Sequence, residues 1–320
     1  MILTGDVGGT NTRLAILERT SEQRFQKHAS MTFASRDHES LEAAVSLFLE
    51  SVGESYPQAA FGVAGPVIDN RCSATNLPWT IDAQQLKRRF GLAHVVLLND
   101  LEAQGAGIDF LDDAQCHVLQ EGVAKPGNRA LIAAGTGLGQ AGLYFDGVRH
   151  HAFATEGGHT DFAARDELEI ELLRYLMAKL GGRVSWERLL SGQGLVNIFS
   201  FFVENQGRAP VSELRESPTA PAISQAALEG RCEVADAALE LFVSLYGAEA
   251  GNLALKTLSV GGVFLGGGIA PKILDRLKGP NFMKAFTTKG RMSPLVQEMP
   301  VRVLMDGDTA LYGAAGALSA

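Results

Sequence analysis

The stretch Gly5-Asp6-Val7-Gly8-Gly9-Thr10-Asn11 decides how the chain begins to fold. The apolar run Ile2–Val7 leads into its glycines, and the β-forming run Thr12–Leu17 follows them. Two such runs joined by a glycine turn predict two neighbouring strands. Asp6 then ends a buried strand, where a carboxylate has little structural use and is well placed to hold a hydrated Mg²⁺.

Outward from this turn, the first third of the chain alternates between strand and helix patterns. The predicted elements are a weaker strand over Phe25–Phe33, a helix over His38–Val52, a strand over Ala59–Ala64, a helix over Ile81–Phe90 capped by Thr80, and a strand over His94–Leu98. The last of these strands runs directly into Asn99-Asp100. Because α/β sheets bind ligands at the carboxyl ends of their strands, this pair is a candidate for a site.

A second unit begins near Leu131 with the same order of patterns. Its predicted elements are strands over Leu131–Ala134, Gln140–Phe145, Val148–Ala154 and Val260–Leu265, and helices over Glu167–Leu180, Val184–Leu190, Leu195–Asn205, Ala220–Leu228, Val234–Leu255 and Thr309–Leu318. Each half opens with a strand, a glycine turn that contains a threonine, and another strand, as Asp6–Thr10 and Ala134–Gly137 show. This weak internal repeat predicts two related α/β lobes that face one cleft.

The glycine turns are candidates for binding phosphate groups. Close approach of backbone N–H groups to an anion favours residues without a Cβ. Each turn would hold one end of the phosphate tail of a nucleotide. The consecutive glycines Gly266, Gly267 and Gly268, which follow a third buried strand, predict a further nucleotide contact.

Two other phosphate-binding motifs fit the sequence poorly. It contains no GxxxxGK[ST] pattern, which excludes a P-loop. Gly137–Gly142 matches GxGxxG, but a dinucleotide-binding fold needs a helix directly after these glycines. Leu143–Gly147 instead has the pattern of a strand and a hairpin turn.

Composition narrows the class of protein. The 320 residues are 46% hydrophobic and 20% charged, which is enough apolar material for a sizeable core. A net charge of −8 without a basic stripe disfavours nucleic-acid binding. No apolar run reaches the ~20 residues of a spanning helix, and the GxxxG spacing of Gly247 and Gly251 is therefore expected to pack two helices of a globular domain. Three scattered cysteines and the lack of a basic or hydrophobic leader predict a cytoplasmic protein.

An ordered set of motifs runs through the whole chain and closely resembles the bacterial glucokinases of the proteobacterial type, within the actin-like sugar-kinase superfamily. The motifs are Gly5–Asn11, Thr75-Asn76-Leu77-Pro78-Trp79, Asn99-Asp100, Gly135–Gly139, Glu156-Gly157-Gly158-His159, Glu187–Gly192 and Gly266–Gly268. Gln193 stands where the family is expected to have proline. The cysteine-rich zinc motif of the related repressor–kinase group does not follow His159.

The resemblance implies a two-lobed actin-like (ribonuclease H-like) α/β sugar-kinase fold with a cleft between a small domain, residues 1–106 plus 305–320, and a large domain, residues 107–304. It implies transfer of a phosphoryl group from ATP to glucose, giving glucose 6-phosphate at the entry to glycolysis, with Mg²⁺ as the metal and a homodimer as the assembly. The implied nucleotide contacts are Gly5, Asp6, Val7, Gly8, Gly9, Thr10, Asn11, Gly135, Thr136, Gly137, Gly266, Gly267 and Gly268. Asp6 would bind Mg²⁺ through water.

Asp100 is the implied catalytic base, and the implied sugar contacts are Asn76, Asn99, Asp100, Glu156, His159 and Glu187. Each has a plainer alternative. Asp100 could cap a helix that begins at Leu101, and the two glutamates could be solvated surface charges. The alternatives for His159 and Asn76 are, respectively, a metal site shared with His150 and His151, and a turn leading into Pro78.

Three rival functions stay open at this point. The nearest is a kinase for another hexose, such as mannose, fructose or an N-acetylhexosamine. A sugar-responsive repressor would need a DNA-binding helix-turn-helix before the first strand, and only five residues precede Asp6. An actin-like ATPase scaffold would leave Glu156, His159 and Glu187 without a purpose.

Overall fold

The structure is a computed structural model that describes residues 1–22, 24–53, 56–74, 77–123 and 125–319. The chain forms two compact units. The first comprises Met1–Cys116, Val148–Ala154 and Asp306–Ala320, and the second comprises His117–Gly147 and Thr155–Met305.

The strands of the described residues are, in chain order, β1 (Ile2–Val7), β2 (Asn11–Arg19), β3 (Phe25–Ala34), β4 (Gln58–Val63), β5 (Val67–Ile68), β6 (Arg71–Ser73), β7 (Thr80–Asp82), β8 (His94–Asn99), β9 (Cys116–Gln120), β10 (Arg129–Ala134), β11 (Leu138–Phe145), β12 (His150–Thr155), β13 (Gly262–Gly266) and β14 (Val301–Leu304). The α-helices are α1 (Leu41–Val52), α2 (Ala83–Phe90), α3 (Asp100–Gly107), α4 (Glu167–Leu180), α5 (Gly192–Ser200), α6 (Ala220–Leu228), α7 (Glu233–Thr257), α8 (Leu274–Leu277), α9 (Pro280–Thr287), α10 (Ser293–Gln297) and α11 (Thr309–Gly316).

The first unit is built on a five-stranded sheet of order β3-β2-β1-β4-β8. β1 is antiparallel to β2 and parallel to β4, which is in turn parallel to β8. The register aligns Val7 with Val63 and Val63 with Asn99. The carboxyl ends of three parallel strands therefore meet at one edge of this sheet, which is where the sequence predicts functional residues.

The second unit repeats this arrangement with the strand order β11-β10-β13-β14. β10 is antiparallel to β11 and parallel to β13, and β13 is parallel to β14. The internal repeat predicted from the two glycine turns is thus confirmed in the topology of the two sheets.

Helix α2 begins later than the sequence predicts. Thr80 does not cap it, because Thr80 pairs with Ser73 in the small sheet β5-β6-β7. The cap is Asp82, whose carboxylate accepts a hydrogen bond of 2.7 Å from the N–H of Gln84. An aspartate is at least as good an N-cap as a threonine, so the local chemistry allowed either start.

Two further predicted helices also differ. The stretch Val184–Leu190 forms only a 3₁₀ turn, Trp186–Arg188. The helix predicted over Leu195–Asn205 starts earlier as α5, since Ser191 accepts a hydrogen bond from the N–H of Gly194, and it continues as a π-helical turn over Phe201–Asn205.

The helices α7 and α9 approach each other through glycine. A Cβ on Gly247 would overlap the backbone oxygen of Phe282, and one on Gly251 would lie 2.5 Å from the backbone oxygen of Phe286. The GxxxG spacing therefore packs two helices of the second unit, as the sequence predicts. No helix among the described residues is both long and apolar enough to cross a bilayer.

We predict that Gly247→Ala destabilises the second unit by roughly 1–3 kcal/mol, because the new methyl group forces α9 away from α7. Thermal unfolding followed by circular dichroism measures this loss. The matched control is Gly192→Ala, also in a helix, where a Cβ would meet its nearest neighbour at an ordinary 3.8 Å. Equal melting temperatures for the two variants would contradict this account of the packing.

Candidate active site

The first glycine turn follows β1, at the edge of the first unit's sheet where the carboxyl ends of its parallel strands meet. The N–H of Gly8 donates to the backbone oxygen of Asn11 at 3.0 Å and closes the turn. The backbone oxygen of Thr10 accepts from the N–H of Ser35 at 2.9 Å, while the Thr10 side chain is exposed. Ser35 Oγ also donates to the backbone oxygen of Gly8 at 2.7 Å, so the turn is held by its own backbone and by Ser35, with its threonine presented to solvent.

Asn99 and Asp100 lie at the end of β8, where α3 begins. Asn99 is the N-cap: its Oδ1 accepts from the N–H of Leu101 at 3.0 Å, and its own N–H donates to Glu102 at 3.2 Å. Its Nδ2 donates to the backbone oxygen of Gly65 at 3.1 Å. Because Asn99 and Glu102 form the capping box, the helix does not depend on Asp100 for its cap.

Oδ1 of Asp100 accepts from the N–H of Leu101 at 3.0 Å, and the N–H of Asp100 itself and the side chain of Asn99 also hydrogen-bond the carboxylate. Burial, with a further contribution from the negative charge of Asp6, raises the pKa of Asp100 to about 6 against these opposing hydrogen bonds. Burial also raises the pKa of Asp6, which Arg13 lowers and Asp308 raises. Two carboxylates close enough to affect each other's ionisation therefore share this edge of the sheet.

Arg13 and Asp308 were not anticipated as part of this group. Arg13, which the sequence suggests is an ordinary strand-edge charge, donates to Asp308 Oδ1 at 3.0 Å and to the backbone oxygen of Gly307 at 2.6 Å. The side chain of Lys27 also pairs with Asp308. A usable signal was present, since Asp306-Gly307-Asp308-Thr309 places acids, glycine and threonine after a buried strand, much as Asp6–Thr10 does.

In the second unit, two of the predicted phosphate turns are neighbours. The register pairs Ala133 of β10 with Gly266 of β13, so the turns that follow these strands lie side by side. Gly267 has φ +78°, and a Cβ there would overlap the backbone oxygen of Ala134. Only glycine fits this position, because both its conformation and its contact with β10 exclude a side chain.

The motif Glu187–Gly192 packs against the same turn. Glu187 Oε2 accepts from the N–H of Leu138 at 3.1 Å, directly after Gly137. The N–H of Gly192, the first residue of α5, donates to the backbone oxygen of Gly135 at 2.9 Å. A predicted sugar contact and a predicted nucleotide turn are therefore adjacent within this unit.

Glu156 and His159 occupy a short turn that lies over the start of β11. Their side chains are 85% and 57% exposed and approach each other to 3.8 Å. The backbone oxygen of His159 accepts a hydrogen bond from Arg183, so the exposed imidazole extends from an anchored backbone. Both side chains have their polar atoms available to a ligand.

The remaining predicted residues fall as follows. The first unit contains Asn99 and Asp100, and the second contains Glu156, His159 and Glu187. Asn76 lies outside the described residues. The glycines of the GxGxxG match are followed by strand β11 rather than by a helix, so the chain lacks the dinucleotide-binding arrangement there. Among the described residues there is no group of three or more His, Cys, Asp or Glu side chains arranged to hold a metal ion.

The burial of Asp100 predicts a gain in stability when its charge is removed. Its pKa lies above the usual value, so the ionised carboxylate destabilises the fold above about pH 6, and this penalty fades as the pH falls towards 4. Asp100→Asn should therefore raise the free energy of unfolding at pH 7.5, on the order of 2 kcal/mol. Denaturant unfolding at pH 7.5 and pH 4 measures the difference, and equal or lower stability at pH 7.5 would contradict it.

Comparisons with known proteins agree on one family. Residues 3–320 match the family described as Glucokinase. The glucokinase of Nostoc punctiforme is 39% identical over 333 residues, covering 98% of each chain. The glucokinase of Marinobacter nauticus is 39% identical over 318 residues, covering 99% of this chain and 96% of the relative.

Solved structures give the same result. A glucokinase from an Antarctic psychrotroph superposes with a TM-score of 0.87 at 33% identity, covering 99% of this chain and 98% of its own. A ROK family glucokinase from Streptomyces griseus, solved with glucose and AMPPNP, has a TM-score of 0.67 at 22% identity and covers 98% of each chain, which shows the shared fold. The architecture is that of the actin-like two-domain α/β sugar kinases, and the chain belongs to the glucokinase family.

Proposed function

We propose that Asp100 is the general base with which this chain performs the reaction of its family. That reaction is the ATP-dependent phosphorylation of glucose. The observation that carries the proposal is a buried carboxylate near Asp6 with a pKa raised to about 6, at the start of a helix whose cap neighbouring residues supply. A base is most effective when its pKa lies near the working pH, since it is then both ionised and basic.

Within this proposal, Asp100 accepts the proton of the 6-hydroxyl as that oxygen attacks the γ-phosphorus of ATP. The bond from the γ-phosphorus to the ADP oxygen breaks, and ADP leaves. Phosphoryl transfer relies mainly on in-line positioning and neutralisation of charge. Asn99 adds to positioning, because its side chain is held by Gly65 and also hydrogen-bonds the Asp100 carboxylate.

The nucleotide is assigned to the glycine turns. Gly135, Thr136 and Gly137 with Gly266, Gly267 and Gly268 form two adjacent turns, and a Cβ on Gly135 or Gly268 would meet open space. Gly5, Asp6, Val7, Gly8, Gly9, Thr10 and Asn11 form the equivalent turn of the first unit. Backbone N–H groups in such turns are the hydrogen-bond donors that the phosphate groups of a nucleotide need.

Asp6 is assigned to Mg²⁺ through water. The donor set fits this ion, because Mg²⁺ in phosphoryl-transfer sites is held by one or two carboxylates, several waters and the substrate phosphates rather than by a protein cage. Asp6 is one such carboxylate, and burial disfavours its negative charge. When bound, the ion would neutralise charge on the transferred phosphoryl group.

Sugar recognition is assigned to Asn99, Asp100, Glu156, His159 and Glu187, with Asn76 retained from the sequence. Support comes from the exposed polar atoms of Glu156 and His159 and from Glu187, which is fixed by the N–H of Leu138. Carboxylates suit a hexose because each oxygen accepts more than one hydroxyl hydrogen bond.

Three broader assignments complete the proposal. The protein works in the cytoplasm, and it assembles as a homodimer. Its two domains comprise residues 1–106 with 305–320 and residues 107–304. The family resemblance supports all three, and gel filtration with light scattering tests the dimer.

The base assignment predicts the kinetics of Asp100→Asn. The amide can still hydrogen-bond the hydroxyl, so glucose should bind nearly normally, but kcat should fall by at least about 100-fold because the proton has no acceptor. Wild-type kcat/KM for glucose should fall about tenfold per pH unit below about pH 6, where Asp100 becomes protonated. A coupled assay for glucose 6-phosphate measures both.

The matched control is Glu102→Gln, a carboxylate-to-amide change two residues away that keeps a capping-box residue at N3. Its kcat should stay near that of the wild type. If Asp100→Asn retains more than about a tenth of wild-type kcat, Asp100 only positions the substrate.

The metal assignment predicts a different pattern for Asp6→Ala. Turnover should fall by roughly 10²–10³-fold and the Mg²⁺ concentration for half-maximal activity should rise, because the carboxylate acts at the phosphate end. Glucose binding, measured by calorimetry without nucleotide, should change little. Unchanged turnover and unchanged Mg²⁺ dependence would remove the assignment.

A further inference from the structure

A network of hydrogen-bonded polar side chains crosses the interior of the second unit, and no part of the reaction described above uses it. Its centre is Glu249 on α7, which is fully buried. Glu249 Oε1 accepts from Gln140 Nε2 of β11 at 2.8 Å, and Oε2 accepts from Asn252 Nδ2 at 3.0 Å. Lys289 Nζ donates to Asn252 Oδ1 at 2.6 Å and to the backbone oxygen of Ala248 at 2.8 Å. A second ammonium, that of Lys256, lies 3.7 Å from Glu249 Oε1.

The donors and acceptors of this network fix the orientation of each of its side-chain amides. Lys289 can only donate, so Asn252 must turn its oxygen towards Lys289 and its NH₂ towards Glu249. Glu249 can only accept, so Gln140 must present its NH₂ to Glu249 and direct its oxygen the other way. The amide of Gln140 therefore has one permitted orientation, which is set by Glu249 of α7.

The free end of Gln140 lies against the turn that carries Glu156 and His159. A Cβ on Gly157 would overlap Gln140 Oε1 and lie 2.7 Å from its Cδ, so the glycine backbone rests directly on the amide. The backbone oxygen of Gln140 also accepts from Thr155 Oγ1 at 3.0 Å, and that hydroxyl accepts from the N–H of Gly157 at 3.2 Å. Both the backbone and the side chain of Gln140 thus support this turn.

We propose that Glu249 and Gln140 are positioning residues for hexose recognition, holding the Glu156–His159 turn at a fixed height above β11. The proposal rests on the assignment of Glu156 and His159 as sugar contacts. Burying a carboxylate costs free energy unless every hydrogen bond is satisfied, and this arrangement satisfies both of its oxygens while aiming Gln140 at Gly157. A small displacement of a positioning group can greatly reduce the rate of a reaction, so a turn held in a fixed position would serve catalysis.

The test is Glu249→Gln, which keeps the volume but adds a donor. The new NH₂ must face either Gln140 Nε2 or Asn252 Nδ2, and Asn252 cannot turn because Lys289 holds its oxygen. Gln140 then rotates beneath Gly157, and the KM for glucose should rise roughly tenfold or more. The KM for ATP should stay within about twofold of the wild type, since none of the hydrogen bonds described for this network goes to Gly135–Gly137 or Gly266–Gly268.

The double variant Glu249→Gln/Lys289→Met should restore the KM for glucose to within about threefold of the wild type, because Asn252 becomes free to turn its oxygen towards the new amide. A role limited to stability predicts no such selective recovery. If Glu249→Gln does not fold, Gly157→Ala tests the same contact from the turn. Its KM for glucose should rise while that for ATP stays unchanged, and an unchanged KM for glucose would overturn the proposal.

Tyr246→Phe is the matched control for a loss of stability. It removes a buried hydrogen bond of 3.1 Å from the same helix to the backbone oxygen of Ile132, and it leaves the side-chain hydrogen bonds of Glu249 and Gln140 in place. It should lower the melting temperature and leave the KM for glucose unchanged. If Glu249→Gln behaves in the same way, the positioning role is wrong.

Glu156→Gln separates this proposal from the one on which it depends. If Glu156→Gln leaves the affinity for glucose unchanged, the sugar assignment of the turn fails and the positioning role fails with it. If Glu156→Gln weakens glucose binding while Glu249→Gln does not, the sugar assignment stands and only the positioning role is overturned.

Discussion

The first unit depends on one interaction at the end of β8. Asn99 caps helix α3, so the Asp100 side chain is not needed as the cap. A helix start buried at a sheet edge needs its N–H groups satisfied, and an aspartate there would ordinarily supply the acceptor. Because Asn99 and Glu102 form the capping box, the helix cap does not require the Asp100 carboxylate, which remains buried and close to Asp6. That is an unfavourable state for a charge, and it produces the raised pKa on which the chemistry is proposed to rest.

The second unit uses the same sheet topology for a different purpose. Its equivalent edge carries glycine turns at the ends of β10 and β13, with no acidic residue in either turn. Gly267 is held against β10 in a conformation that other residues rarely adopt. One repeated arrangement of strands thus carries buried carboxylates at the strand ends of one unit and glycine turns at those of the other.

Much of the fold could be predicted from the sequence, because short sequence patterns determine the strands and the glycine turns between them. Strand, glycine turn and strand recur at Asp6–Thr10 and Ala134–Gly137, and the two sheets follow from them. The GxxxG spacing in α7 identified a helix contact correctly. The errors lie where two local signals compete, as at Thr80 and Asp82, which are both good caps. The group around Asp308 was missed because Arg13 and Asp308 are almost 300 residues apart in sequence, and only the fold brings them together.

Sequence patterns describe buried charges less well than other features of the fold. The proposed base and the proposed support of the sugar turn both depend on such charges. Asp100 keeps hydrogen bonds at the helix start, but burial and the nearby negative charge of Asp6 still raise its pKa. At Glu249 the hydrogen-bond partners are two amides, Gln140 and Asn252, and the ammonium of Lys256 lies 3.7 Å away. Hydrogen bonds to both of its oxygens fix where that carboxylate lies, so it can act as a fixed reference for the groups around it. The charge that faces each buried acid, a carboxylate in one case and an ammonium in the other, thus separates the residue proposed to accept a proton from the residue proposed to hold a neighbouring turn in place.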